Sequence, residues 1–317
     1  MDALKTYDAF VIGDANVDLV IVGCNQLPLP GQEIFVRDMN LHVGGGAALF
    51  SITLAKLGKK LAFKGIVGTD YYGQYILEQF YQCGIDTSFI ERSDRNKTGI
   101  SIAINPENDR SFISYAGTNA ELQVEHVAIE DLMPSHHVHL TGYKGSANHA
   151  AYMKIAQKLN QSGITVSLDV GWDDTGEWYH GIFDLMDWID VFFMNETEVL
   201  HYTGCKTVED SIQFIAAKRK NAVIKLGAQG AVAIIHGIVT HCPGYNVPVV
   251  DTTGAGDSFN AGYIFGFLSG MPVKDCLVYG NACGALSVGE YGGSAGTVDL
   301  PTLVEFIQER LSENIKS

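Results

Sequence analysis

Apolar residues come in short blocks along this chain, and in a few places polar residues alternate with them. Residues 9–13 (AFVIG) are an apolar run closed by glycine, which predicts a buried first strand. Asn16 and Asp18 then alternate with apolar residues through Val22, placing both on one face of a strand. Residues 27–31 (LPLPG) read as a turn, and residues 33–43 alternate again as an exposed strand. Gly44, Gly45 and Gly46 open a helix over residues 49–57, with Gly58 just past its end. Another strand is expected at 61–67. Gly68, Asp70 and Gly73 lead into a helix at 74–83. Residues 99–104 and 111–115 alternate on either side of the loop 105–110, the pattern of a hairpin. With 17–22 and 33–43 they can form a small antiparallel sheet.

From about residue 124 the pattern becomes strand then helix, repeated. Strands are predicted at 138–141, 165–169, 191–194 and 222–226, and helices at 147–159, 196–202 and 208–219. That alternation implies a mainly parallel sheet with helices on both faces. Ligands in such sheets gather beyond the carboxyl ends of the strands. Residues 231–235 and 239–241 read as a hairpin, and 258–268, 273–288 and 301–311 as helices. The fold class expected is α/β. One domain spans residues 1–317, with the small sheet inserted at about 15–43 and 99–116.

The chemistry points to residues 250–262 (VDTTGAGDSFNAG). Gly254 and Gly256 let the backbone take positive φ and approach a ligand closely. The first turn of the helix that follows has N–H groups without internal partners, and its peptide dipoles favour an anion. Gly254, Ala255 and Gly256 would therefore offer donors to a phosphate. Asp257 sits in the same turn and would repel that phosphate. A base that accepts a hydroxyl proton as phosphate is transferred accounts for it; a plain helix cap is the simpler reading.

The string at 251–257 (DTTGAGD) resembles the C-terminal signature of the ribokinase-like (PfkB) sugar kinases, D-T-x-G-A-G-D. The resemblance runs from residue 9 to about residue 311. It implies a ribokinase-like fold, a central mainly parallel sheet flanked by helices with a small β-sheet lid over the sugar site. It also implies ATP-dependent phosphorylation of a hydroxyl on a small sugar-like substrate. In that family N-x-D faces the sugar, which assigns Asn16 and Asp18 to substrate binding. A second signature, G-G-x-x-x-N, matches at Gly44 and Gly45, but Leu49 stands where its sugar-touching Asn belongs. The departure puts a ribose-like or simple hexose substrate in doubt. The family's N-x-x-E matches Asn195 and Glu198, which help organise Mg²⁺, largely through water, and the phosphates. A carboxylate at Glu198 is also a good helix-start residue. K/T-x-G-x-x-G assigns Lys225, Gly227 and Gly230 to ATP, and Asn281 falls near the adenine. Asp251, Thr253, Ser287 and Gly292 stand where a monovalent cation such as K⁺ would bind. The chain has no G-x-x-x-x-G-K-[ST], so it is not a Walker-type kinase.

Composition narrows the partners. The 317 residues carry 36 acidic and 21 basic side chains, a net charge of −15. That argues against nucleic acid and anionic membrane surfaces as main partners. Six scattered cysteines without C-x-x-C, and no signal peptide or spanning segment, predict a cytoplasmic protein. Cys276 and Cys283, seven apart, would share a helix face. Of His136, His137 and His139 only the last two share a strand face, and packing is favoured over a zinc site. The acidic cluster at 169–174 (DVGWDD) suits either a capped loop or a phosphate-side loop. Two other readings stay open. Leu49, Tyr115, Tyr143 and Trp172 could suit the base of a nucleoside, and a non-catalytic sugar or nucleotide sensor could keep the fold. A Rossmann dehydrogenase fails for want of G-x-G-x-x-G after the first strand. A homodimer would pair through exposed edges of the small sheet.

Overall fold

The structure is a computed structural model, and it describes residues 5–24, 27–104 and 111–316. The loop expected at 105–110 lies outside the described residues. In chain order the first half contains β1 (Tyr7–Ile12), β2 (Asn16–Val22), β3 (Asp38–Gly44), α1 (Gly46–Lys56), β4 (Leu61–Lys64), β5 (Ile66–Gly68), α2 (Tyr71–Gln82), β6 (Glu91–Ser93), β7 (Gly99–Ile104) and β8 (Ser111–Tyr115). The second half runs through α3 (Ile129–Leu132), β9 (Ser135–Leu140), α4 (His149–Gln161), β10 (Thr165–Asp169), α5 (Ile182–Leu185), β11 (Val191–Asn195), α6 (Glu196–Thr203), α7 (Val208–Ala217), β12 (Ala222–Lys225), β13 (Ala231–Ile235) and β14 (Ile238–Cys242). It closes with α8 (Ala255–Leu268), α9 (Val273–Ser287) and α10 (Leu300–Lys316).

The main sheet has eight strands in the order β14-β13-β12-β11-β10-β9-β1-β4. From β12 to β4 all neighbours run parallel; β13 and β14 are antiparallel additions at one edge. Its strands from β12 to β4 are largely buried on both faces, so successive residues belong to different cores. Phe193 belongs to the core shared by α1, α2, α8, α9 and α10, and Phe192 to the core shared by α3 to α7. Gly262 and Gly266 let α9 press on α8, for a Cβ there would come within 2.7 Å of Cys283 Sγ and 3.1 Å of Cys276 Sγ. The two cysteines thus share a packed face, as their spacing predicts.

The small sheet has the order β3-β2-β7-β8. Its outer pairs are antiparallel, but β2 and β7 run parallel, because β7 arrives after the long excursion through α1 and α2. The strand expected at 33–43 begins only at Asp38. That expected at 61–67 breaks at Gly65, where a Cβ would stand 2.9 Å from the Gly13 carbonyl oxygen. Consequently β4 joins the main sheet and β5 pairs with β6. Asp70 starts α2 earlier than expected, accepting from the Gly73 N–H at 2.9 Å. No helix of the described residues is long and apolar enough to cross a membrane.

Candidate active site

A cleft of about 450 Å³ opens beyond the carboxyl ends of β1, β9 and β10. Asp14, Thr141, Tyr143, Asp169 and Asp173 line it, with Gly46 at the start of α1 and Asp257 at the start of α8. Two glycine-opened helix starts therefore face one space, and their backbone donors are treated differently. At α1 the Asp14 carboxylate accepts from Gly46 N–H at 3.0 Å and Ala47 N–H at 3.2 Å. The next two N–H groups, of Ala48 and Leu49, go to the carbonyls of Asp14 and Gly45.

At α8 Gly254 takes the N-cap position in the left-handed region, φ 71°, and no side chain caps the turn. Ala255 N–H reaches the Thr252 carbonyl at 3.3 Å, and Ser258 N–H closes the first helical bond on Gly254 at 2.9 Å. That leaves the N–H groups of Gly256 and Asp257 with no partner among the described residues. Unmet donors at a helix start, where the dipole adds partial positive charge, constitute an anion site.

Asp257 is half-buried and opens on the cleft. No described residue donates a hydrogen bond to its carboxylate. Desolvation, and then the charge of Asp169, raises its pKa from 3.8 to about 7, with Lys225 opposing. Such a carboxylate is poised to take a proton near neutrality. Lys225, at the end of β12, gives a 3.0 Å ion pair with Asp169 at the end of β10. Its Nζ also comes within 3.2 Å of a Cβ position on Gly256, so the ammonium lies beside the bare turn. Burial alone would make Lys225 less basic, but Asp169, Glu198 and Asp257 together raise its pKa and keep it charged. Asn260, one turn into α8, donates to the same Asp169 oxygen.

Asp18 is 5% exposed and accepts from Asn16 Nδ2 at 2.9 Å. Desolvation raises its pKa to about 6, against that hydrogen bond. Three glycines bring these acids together. A Cβ on Gly44 would lie 2.2 Å from Asp18 Oδ1, one on Gly45 2.8 Å from Asn16 Oδ1, and one on Gly46 3.0 Å from Asp257 Oδ1. Asn195 and Glu198 form a reciprocal capping box at α6. Both Glu198 oxygens accept from Asn195, at 2.8 Å each. Burial, then Asp169, raises the Glu198 pKa.

A family model for the pfkB family carbohydrate kinases matches residues 7–300. The chain belongs to that family. Over 303 residues this pfkB-family kinase is 30% identical to the ATP-dependent ribose-1-phosphate kinase of Halopiger xanaduensis, with 94% of this chain and 97% of the relative covered. It is also 30% identical over 290 residues to the 2-dehydro-3-deoxygluconokinase of Bacillus subtilis, covering 86% and 88%. Among solved structures, Arabidopsis thaliana ribokinase complexed with ribose and ATP superposes with a TM-score of 0.81 at 27% identity, covering 95% and 98%. The expected ribokinase-like fold and carbohydrate-kinase class are met.

In this kinase the remaining expected residues are placed as follows. Asp251 is buried; its Oδ1 accepts from Thr253 N–H and Oγ1 at 2.9 and 2.8 Å, and its Oδ2 from Gly292 N–H at 2.9 Å. Ser287 Oγ instead donates into its own helix, to the Gly284 carbonyl. Gly227 opens a turn after β12 with free space around its Cα, whereas Gly230 presses on the backbone of 242–244. Asn281 Nδ2 donates to the carbonyls of Cys242 and Pro243, at 3.2 and 3.0 Å. His137 and His139 are joined through Ser167 Oγ, both at 2.7 Å, inside the core, while His136 is exposed. Among the described residues no group of three or more His, Cys, Asp and Glu could hold a metal ion. Sequence reasoning missed Asp14 and Asn260 altogether. An Asp directly after the first strand, and an amide three residues past Asp257, were the only signals.

Proposed function

We propose that this pfkB-family kinase moves the terminal phosphoryl group of ATP to a hydroxyl of a small sugar, with Asp257 as the base. The observation that carries this reading is the pairing of two unmet N–H groups, on Gly256 and Asp257, with an unbonded carboxylate of near-neutral pKa in the same cleft. The acceptor hydroxyl gives its proton to Asp257 as its oxygen attacks phosphorus. The N–H groups of Gly256 and Asp257 and the α8 dipole stabilise charge on the transferring group; the expected Ala255 donor is taken by the Thr252 carbonyl. Lys225, charged and beside Gly256, adds to that stabilisation. The nucleotide lies along Asn195, Lys225, Gly227, Gly230 and Asn281, and the acceptor against Asn16, Asp18, Gly44 and Gly45. The four-stranded sheet acts as the lid that keeps water from the phosphoryl group.

The donor set fits a water-bridged Mg²⁺. Both Glu198 oxygens already accept from Asn195, so a hydrated ion is met at second hand. When bound, Mg²⁺ would partly neutralise the charge of the ATP phosphates. A K⁺ site on Asp251, Thr253, Gly292 and Ser287 is supported by the buried Asp251 carboxylate, which draws Thr253 and Gly292 around it. We further propose a cytoplasmic protein, in keeping with six free cysteines, and pairing of two copies through the small sheet.

The test is phosphoryl transfer from ATP with Mg²⁺, with and without K⁺, to a panel of sugars, sugar acids, sugar phosphates and nucleosides, beside Asp257→Asn. Phosphorylation of one acceptor class, lost in the variant, supports the reading. Equal turnover in the variant removes Asp257 as the base. ATP binding without transfer to any acceptor removes the kinase reading in favour of a sensor.

A further inference from the structure

Leu49 replaces the amide that the family signature places on the sugar, and the structure gives it different neighbours. It lies in α1, 2% exposed. Its Cδ1 stands 2.7 Å from where a Cβ on Gly254 would be, and equally 2.7 Å from a Cβ on Gly293. Both glycines therefore close on the leucine. Gly254 would need to be glycine in any case, since its φ is 71°. Gly293 is under no such constraint, and the leucine is the nearest group an added methyl would meet.

The contact is one of a series. Gly46, Leu49 and Thr53 are spaced three and four apart, so they share one face of α1. Gly46 faces Asp257; Leu49 faces Gly254; Thr53 Oγ1 meets Ser258 Oγ at 3.4 Å. This stripe lies against the first turn of α8. The start of α1 is itself fixed by Asp14. We infer that Leu49 is a positioning residue: wedged between Gly254 and Gly293, it holds the anion-binding turn in register with Asp257 instead of contacting the acceptor. An asparagine there, branched at the same atom as leucine, would bury an amide against two glycines. The inference rests on the kinase reading above, since it assigns the turn its task.

The experiment uses Leu49→Ala, Leu49→Asn, Leu49→Met and Gly293→Ala in the full chain, with the acceptor that the panel identifies. A slack turn misplaces the phosphoryl donors by a fraction of an ångström to an ångström. Leu49→Ala and Leu49→Asn should therefore lower kcat by about 10- to 100-fold, with acceptor KM within about threefold. Leu49→Met, which keeps the bulk, should stay within about threefold of the native kcat. Gly293→Ala should lower kcat by crowding the leucine, and adding Leu49→Ala to it should recover about tenfold, since the two residues touch. That reciprocal pair stands in if Leu49→Asn fails to fold. Should the native protein phosphorylate nothing on the panel, the kinase reading fails by itself. The positioning role is then read as affinity for Mg·ADP with aluminium fluoride, which should fall about tenfold in Leu49→Ala. Three results overturn the inference: a loss confined to acceptor KM or preference, a lowered Tm with kcat and fluoride-complex affinity unchanged, or no recovery in the double variant.

Discussion

The two helix starts that meet in the cleft began with the same signal, a run of glycine before an apolar helix, and ended in opposite states. The α1 start is closed, because Asp14 takes the Gly46 and Ala47 donors. The α8 start is open, because no described residue caps Gly256 and Asp257. A glycine-rich helix start is thus only potential; a carboxylate brought from elsewhere decides whether it binds an anion or merely joins two elements. The carboxylate that α8 carries, Asp257, lines the cleft, where we propose that it acts as the base.

The largest effect expected concerns the open start. Asp257→Asn should lower kcat by about two to four orders of magnitude, the usual size of a general-base contribution, measured as phosphoryl transfer under saturating substrates. Next comes the ion pair behind it. Lys225→Met leaves Asp169 buried without its partner, which should cost about 3–5 kcal/mol in a denaturant titration. The same variant removes the cation that opposes the rise in the Asp257 pKa, so the acid limb of its kcat/KM profile should move to higher pH.

The closed start gives a smaller stability effect, with a shift of the pH profile in the opposite direction. Asp14→Ala uncaps α1 and should cost about 1 kcal/mol in the same titration. Asp14 also contributes to raising the Asp257 pKa, so its removal should shift the acid limb to lower pH. In the native protein the base must be ionised, and its pKa is raised to about 7. Plots of log kcat/KM should therefore fall with unit slope below about pH 7; a flat profile down to pH 5 would contradict the assignment.

The smallest effect separates the cleft from the core behind it by its sign. Burial holds the pKa values of His137 and His139 at about 3, below the ordinary 6.5. Their contribution to stability is fully present above 6.5 and is lost as pH falls toward 3. Asp257 works the other way. Its folded pKa lies above the ordinary 3.8, so its contribution is greatest below 3.8 and is lost as pH rises through about 7. Unfolding titrations across pH 4 to 8 should show the Asp257→Asn variant gaining stability relative to the native chain toward pH 8, where the burial cost of the native carboxylate is greatest.

Most of the fold was legible because its elements are local. The apolar runs of β9 to β12 and the amphipathic helices between them announce a parallel sheet, and the turn before α8 announces its own chemistry. What escaped depends on distant residues. Asp14 caps a helix 32 residues away, and Asp169 meets Lys225 across 56 residues; no spacing in the sequence records either. The parallel pairing of β2 with β7 likewise follows from the path of the chain, not from the alternation in either strand. Glu198 was legible in place but not in state, since its capping box occupies both of its oxygens. At Leu49 the departure from the signature was visible, whereas its contact with Gly254 and Gly293 needed the packing of α1 on α8.

The most direct measurement is the change in backbone amide NMR shifts at the two helix starts when Mg·ADP, aluminium fluoride and the acceptor sugar are added. The account predicts large downfield movement of the Gly256 and Asp257 amide protons, and little at Gly46 and Ala47, whose donors Asp14 already holds. Movement at Gly46 and Ala47 with Gly256 and Asp257 unchanged would contradict it.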